Sequence, residues 1–359
     1  MVNSIYFTSG HIGTGKTSLA IAAALQLKDK GFNVGYFKPL GWRLQAHGAQ
    51  GVQEDQDAIF FKELLGMKED YSIIQPVTTG MEFMDAAVNQ RSEFQDKILS
   101  AFVELSKIYN YLIIEGIQGI SFLEFMKLSA PRLAAMFGSD LVLIEQADLA
   151  RTLDNVIRDK KYAQDLGANV TGLIVNSAPP YALETLQGRF TELLKAYTIK
   201  VWGIIPKQAK SQLAPTAGEI AKWLNGEVLV EAGLDRQVTD LSVGAMTPEQ
   251  ALRFFRRRTN KAVVTGGDRA DICMAALETD TSCLILTGNI YPSVSVLSRA
   301  EDTQVPIILV AHDTLATVRM YEDAVTKKTL HPRSAEQAKQ LTSYLADYVD
   351  FEGLLALSE

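Results

Sequence analysis

TSGHIGTGKTS, residues 8–18, is the stretch whose reading decides the fold. Gly10 to Thr17 fit the pattern G-x-x-x-x-G-K-[ST], after a short apolar run (Ile5–Thr8) and before an alanine-rich one (Ser18–Lys30). A strand that enters a glycine turn and leaves as a helix aims several backbone N–H groups at one point, beside the positive end of the helix. That arrangement is a phosphate cradle. Gly10, Gly13 and Gly15 allow the turn, and His11, Thr14 and Ser18 complete it. Lys16 is placed to bridge β- and γ-phosphates and Thr17 to offer a hydroxyl to Mg²⁺, so ATP and Mg²⁺ are the expected cofactors. His11 reads either as a contact or as a solvated spacer.

Outward from the loop, short apolar runs alternate with amphipathic ones. Strands are expected at Phe32–Lys38, Tyr111–Glu115, Leu141–Glu145, Val170–Asn176 and Val201–Pro206. Helices are expected at Glu54–Leu65 with Gly66 as the stop, at Glu93–Ile108 with Ser92 as N-cap, and from Ala150 to about Leu166. Continuous apolar strands alternating with helices predict an α/β fold with a parallel sheet covered by helices on both faces, of the P-loop NTPase type. A break at QAKSQLAPT (208–216) ends this first domain, 1–210. A smaller α/β domain, 215–325, follows, with strands at Ala262–Thr265, Cys283–Thr287 and Pro306–Val310. Residues 326–359 read as a helical tail, amphipathic over Ala335–Val349. Segments 263–277 and 284–298 share a strand, Thr-Gly, turn, helix rhythm, which any parallel α/β unit also shows.

Mg²⁺ keeps several waters and needs only one or two carboxylates. Glu115 closes the strand YLIIE, and a carboxylate at the C-terminal end of a parallel strand opens onto the ligand crevice. Asp57, in EDQDA, is the second candidate and Asp55 its competitor; both suit a first helical turn. Lys38 ends the strand VGYFK, where a point cation would hold a substrate carboxylate or a phosphoryl oxygen during transfer. Lys16 and Lys38 are therefore the candidate catalytic residues. Gly41, Gly48 and Gly51 suit a covering loop over 39–53. Asn176 ends GLIVN, and its amide can both donate to and accept from an adenine edge.

These pieces together resemble the dethiobiotin synthetase family and the related synthases of cobalamin biosynthesis. The resemblance covers about 1–207 and rests on TSGHIGTGKTS, FKPL (37–40), QDA (56–58), IIEGIQG (113–119), GLIVN (172–176) and WGIIP (202–206). It implies ATP and Mg²⁺ on Lys16, Thr17, Asp57 and Glu115, a carbamate on Lys38 and adenine on Asn176. The chain also resembles the N-terminal half of long bacterial phosphotransacetylases, where a similar domain precedes one named DRTGG. The matching segments there are 214–229, LDRQV (234–238) and 263–277. The acetyl-transfer domain does not follow within 359 residues, so acetyl transfer is not expected from this chain alone. Two departures weigh against biotin synthesis: the acid expected inside the phosphate loop is replaced around His11–Gly13, and LGWRLQAHG (40–48) is not the small, hydroxyl-rich stretch expected. The dimerising ATPases that partition cell components carry a second loop lysine where this chain has His11, so a lysine acting on a partner's nucleotide is not expected.

In the second domain, Gly266, Gly267, Asp268 and Arg269 sit between a strand and a helix, as do Gly288 and Asn289. They read either as an anion site for a small phosphorylated effector or as tight turns set by geometry. Arg253, Arg256, Arg257, Arg258 and Lys261 add a basic cluster nearby in sequence. The functional expectation is an ATP- and Mg-binding protein that couples nucleotide binding or slow hydrolysis to this domain; an ATP-dependent ligase acting on a carboxylate or carbamate is the alternative, and enzymatic status stays open. Net charge is −7, with no long basic run, which argues against nucleic acid or an anionic membrane as partner. No apolar run spans a bilayer and no leader is read, so a cytoplasmic protein is expected. Dimers are common in the resembled families, which implies a homo-oligomer. Cys273 and Cys283 lie in apolar stretches and read as buried thiols.

Overall fold

The computed structural model of the chain describes residues 2–11, 13–42, 55–79, 91–117, 119–207, 214–328, 332 and 334–356. It divides into two compact units, Met1–Gln208 with Pro332–Glu359, and Ala209–His331.

The first unit is built on a six-stranded sheet. Its strands are β1 (Asn3–Thr8), β2 (Val34–Phe37), β5 (Tyr111–Glu115), β6 (Asp140–Gln146), β7 (Asn169–Ala178) and β8 (Val201–Pro206), in the order β2-β5-β1-β6-β7-β8. Every pairing is parallel. All of β5 and five of the six residues of β1 are buried, as a sheet covered by helices on both faces requires. The main flanking helices are α1 (Lys16–Asp29), α2 (Gln56–Leu65), α3 (Arg91–Ile108), α4 (Ala130–Phe137) and α5 (Leu149–Asp165). In α1 every residue from Leu19 to Leu25 is buried. That burial explains the alanine run, because a helix packed all round needs small side chains. Short β3 (Leu40–Trp42) and β4 (Val77–Thr79) form a separate parallel pair.

The expected strands and helices lie close to those observed, and two local assignments differ. Helix α3 begins at Arg91, so Ser92 lies inside its first turn and is not the N-cap. Gly41 belongs to β3, where a Cβ would lie 1.8 Å from Gln75 Nε2, so it serves close packing and not a covering loop. Gly48 and Gly51 fall outside the described residues. Gly66 does stop α2, at φ 73°.

The C-terminal stretch expected as a tail is part of the first unit's core. Two helices, Ala335–Ala346 and Phe351–Leu355, bury Ala338, Leu345, Phe351, Leu354 and Leu355 with the sheet's own residues. Between them, Val349 bridges Gly203 of β8, and Asp350 N–H donates to Trp202 O at 2.8 Å. A side chain at Gly203 would stand 2.5 Å from Tyr348 O. The glycine lets the returning chain cover an edge strand that would otherwise be open.

The second unit holds a five-stranded sheet: β9 (Glu227–Val230), β10 (Asp240–Val243), β11 (Lys261–Gly266), β12 (Thr281–Thr287) and β13 (Ile307–Leu309), in the order β10-β11-β12-β13-β9, with β9 antiparallel. Cys273 and Cys283 are free and fully buried, and burial pushes both thiols up to about 12. No helix among the described residues is long and apolar enough to cross a membrane.

Leu354 is 1% exposed. Leu354→Ala should lower the unfolding free energy by about 2–4 kcal/mol in a urea titration. A change below about 0.5 kcal/mol, the size expected of a surface site, would mean that the C-terminal helices are not core.

Candidate functional site

A parallel sheet places the C-terminal ends of its strands on one rim, and the loop after β1 opens there. Register aligns Phe7 with Glu115 and Thr8 with Leu143, so the ends of β5 and β6 flank the loop mouth. Gly13 and Gly15 take φ of 73° and 93°, the left-handed region that favours glycine. At Gly15 a side chain would also stand 2.4 Å from Asn176 Nδ2.

Lys16 and Thr17 begin α1, so the helix orients both. The Lys16 ammonium is buried and donates to Ser9 Oγ at 2.8 Å; Ser9 Oγ in turn donates to the His11 carbonyl at 2.6 Å. Burial lowers the Lys16 pKa against the pull of Glu115. Thr17 Oγ1 donates to Glu115 Oε1 at 2.5 Å, and the buried Tyr36 hydroxyl donates to Glu115 Oε2 at 2.9 Å. Both carboxylate oxygens of Glu115 thus have fixed partners, one of them on α1. Burial raises the Glu115 pKa, opposed by Lys38. The hydroxyls of Thr8 and Thr14, both fully buried, have no hydrogen-bond partner among the described residues.

Lys38 follows β2 and is 5% exposed. Its ammonium pairs with Asp55 Oδ1 at 2.9 Å and with Asp57 Oδ2. Burial works against this cation, but Asp57, Glu115 and Asp55 together outweigh it and hold its pKa above the ordinary value. Asp55 is the N-cap of α2: its Oδ1 accepts the Asp57 N–H at 3.0 Å, and its own N–H donates to Gln75 Oε1 at 3.2 Å. The two acids thus have different surroundings. Asp55 closes a helix end, and Asp57 faces Lys38.

Asn176 sits by the loop through its backbone. Its amide donates to Thr14 O at 2.8 Å, while its Oδ1 accepts the Ser177 N–H at 2.8 Å. Gln146 donates to Gly13 O at 3.2 Å. The structure therefore brings Lys16, Thr17, Asp57, Glu115, Lys38 and Asn176 to one rim. His11 is exposed, and Ser18 lies in the first turn of α1.

Three residues of this rim were not singled out from sequence. Glu145, 3% exposed near the end of β6, accepts the Gly10 N–H at 2.9 Å. Asp159 of α5 lies close by, held by Arg158 Nη2 at 2.7 Å. Tyr36 holds Glu115. Glu145 carried the same strand-end signal as Glu115, without glycines behind it. Tyr36 looked like any apolar strand residue.

In the second unit the two halves of the expected effector site separate. Gly266 closes β11 and Gly267–Arg269 follow it, whereas Lys261 starts the strand, about 17 Å from Gly266 at the usual strand rise. Arg253 lies in the helix Pro248–Phe255, and Arg256–Arg258 follow it, leading into the start of β11. The basic cluster therefore does not reinforce Gly266–Arg269. Arg258 pairs with Asp240 at 3.0 Å. Lys261, fully buried, donates to Thr279 Oγ1 at 2.9 Å and Asp280 O at 2.8 Å, and burial lowers its pKa to about 8. At the other end, a Cβ on Gly267 would lie 1.6 Å from Ile290 O, and Arg269 Nη2 donates to Asp271 Oδ2 and Met246 O, each at 3.1 Å. Backbone packing thus requires Gly267, and Asp271 engages the arginine.

Burial raises the Glu145 pKa above 4.5, against the Gly10 hydrogen bond. The folded state then holds a proton at this site more readily than the unfolded chain does, so ionising Glu145 costs stability as pH rises past 4.5. Glu145→Gln should therefore melt higher than the parent at neutral pH, with the gain shrinking as pH falls. A gain that grows toward acid would contradict this.

Comparison with known proteins places the two units. Residues 3–214 match the AAA domain family, and residues 219–324 match the DRTGG domain. An ATP-dependent dethiobiotin synthetase of Methanocaldococcus jannaschii is 25% identical over 210 residues, which cover 56% of this chain and 92% of that protein. A phosphate acetyltransferase of Nitrosomonas europaea is 22% identical over 99% of this chain and 51% of its own, so this chain spans about half the length of that relative. Among solved structures, the CBS and DRTGG domains of a Clostridium perfringens pyrophosphatase regulatory region, complexed with diadenosine tetraphosphate, align at TM-score 0.29 with 20% identity over 51% of this chain and 73% of that one. The septum site-determining protein MinD of Pyrococcus horikoshii, complexed with Mg-ADP, aligns at TM-score 0.35 with 15% identity over 58% and 82%. The chain belongs to the AAA domain family, in a dethiobiotin-synthetase-like form of the P-loop fold, and carries a DRTGG domain after it.

Proposed function

We propose that the first unit binds MgATP at Gly10–Ser18 and that the protein is regulatory, coupling nucleotide binding or slow hydrolysis to its DRTGG domain. One observation carries this reading. Lys16, a buried ammonium at the mouth of a glycine loop, has a serine hydroxyl as its hydrogen-bond partner among the described residues, in place of a carboxylate. A buried cation is costly unless it has an anion to meet, and a triphosphate on the loop amides supplies that anion.

The residues present fit Mg²⁺. Thr17 and Glu115 already share a hydrogen bond at the loop, Asp57 lies on the same rim, and hard oxygen donors with water complete an octahedral set. The ion would draw charge from the phosphate oxygens. Lys16 would bind β- and γ-phosphate oxygens, Tyr36 would keep Glu115 oriented, and Asn176 would fix the loop backbone and could offer its remaining amide hydrogen to the base. A cytoplasmic, homo-oligomeric protein is part of the same proposal, as is a small phosphorylated effector at Gly266–Arg269.

The ligase reading keeps one specific support. Lys38 is buried within the site and not splayed into water, and a substrate carboxylate or carbamate could take the place of Asp57 beside it. The dethiobiotin synthetase likeness over 92% of that relative points the same way.

ATP turnover measured with and without small carboxylates, and with bicarbonate plus a diamine, separates the two. The regulatory reading expects slow turnover that these additions leave within about twofold. Stimulation by a factor of about ten or more, a barrier change of about 1.4 kcal/mol, would establish the ligase instead.

A further inference from the structure

We infer that Glu145 and Asp159, two acids buried against the first residue of the phosphate loop, take up a proton when a triphosphate fills the loop, so that nucleotide binds more tightly in mild acid than in mild base. The inference rests on the reading that Gly10–Ser18 holds a triphosphate.

Glu145 comes from the end of β6 and Asp159 from α5, and each is 3% exposed. Glu145 Oε1 accepts the Gly10 N–H at 2.9 Å. A Cβ on Gly10 would lie 2.8 Å from that oxygen and 3.5 Å from Asp159 Oδ2, so both acids crowd one side of the same residue. Asp159 Oδ1 is engaged by Arg158, through Nε at 2.8 Å and Nη2 at 2.7 Å. The second oxygen of each acid has no hydrogen bond among the described residues.

The basic groups that face the pair are Arg158 on α5, His11 on the loop and Lys16 at the start of α1. The Arg158 side chain is 64% exposed, so water screens it. Burial raises the pKa of both acids, against Arg158 for Asp159 and against the Gly10 hydrogen bond for Glu145, and the charge of Asp159 adds to the rise at Glu145.

A triphosphate brings several negative charges to the amides beside Gly10. In a site with little water, like charges disfavour the ionised form of a neighbouring acid. A proton answers this with the least rearrangement. It can bind the second oxygen of Glu145 while Oε1 still accepts the Gly10 N–H, so the loop keeps its tie to β6. The bound protein then holds a proton more readily than the free one, binding takes protons up, and affinity rises as pH falls. The window lies above pH 4.5, because burial already raises Glu145 in the free protein. A merely structural acid predicts otherwise: it stays ionised in both states, and binding moves no proton at it.

Calorimetric titration with MgATP, in buffers of different ionisation heat between about pH 5.5 and pH 7.5, counts these protons. Glu145→Gln keeps an oxygen for Gly10 and stands for the protonated acid. The parent should take up about 0.3 proton or more per nucleotide beyond that variant, and its affinity should gain at least about fivefold more than the variant's over the same fall in pH. At neutral pH the variant should bind more tightly than the parent. Asp159→Asn should reduce the uptake, and His11→Gln should leave most of it, which separates the acids from a histidine that titrates in the same range. The inference is overturned if the parent and Glu145→Gln take up equal protons, if Asp159→Asn leaves the uptake whole, or if His11→Gln removes it. Should Glu145→Gln not fold, the parent and His11→Gln still decide, since a parent that binds without uptake overturns the inference. A flat titration of folded parent at every pH defeats the site reading beneath; binding with no proton moved defeats this inference alone.

Discussion

The hydrogen bond from Thr17 to Glu115 is the contact on which the site depends. It joins the first turn of α1 to the end of β5, and so fixes where the helix dipole points relative to the sheet rim. Glu115 reaches that position because β5 lies parallel to β1 and in register with it; one residue of slip would turn its carboxylate to the other face. Tyr36 takes the second carboxylate oxygen from β2, the next strand outward. Two elements that follow one another in sequence, α1 and β2, thus hold an acid that comes from the distant β5, and the glycine loop is closed against it.

Around that contact the rim is held by hydrogen bonds to the loop backbone and by ion pairs at Lys38. Glu145 takes the first N–H of the loop, Asn176 and Gln146 take two of its carbonyls, and Lys38 lies between two aspartates. Side chains from β6 and β7 therefore tie down the loop backbone on one side, and Lys38 with α2 neutralises the acids on the other. Lys16 is the exception, a buried cation met by a hydroxyl. Two buried threonine hydroxyls, of Thr8 and Thr14, stand at the same loop and have no hydrogen-bond partner among the described residues.

Much of this was legible in the sequence because strand ends and glycine turns are local signals. Glu115, Lys38 and Asn176 all stood at ends of apolar runs, and a parallel sheet must bring such ends to one rim. What stayed hidden was pairwise and non-local. Nothing in YLIIE or VGYFK says that Tyr36 meets Glu115, and nothing in EDQDA says that Asp55 is spent on a helix cap while Asp57 meets Lys38. The C-terminal helices misled for a related reason. Their amphipathic pattern showed a buried face but not its partner, and a single glycine, Gly203, provides the seat. In the second unit, Arg253–Arg258 and Gly266–Arg269 are near neighbours in sequence, yet one six-residue strand puts them at opposite ends of a sheet.

Calorimetric titration of the folded parent and of Lys16→Ala with MgATP tests the central claim most directly. The parent should bind one nucleotide per chain, and the variant at least about tenfold more weakly, a loss of about 1.4 kcal/mol. A flat titration of well-folded parent, or equal affinity in the two proteins, would contradict the account.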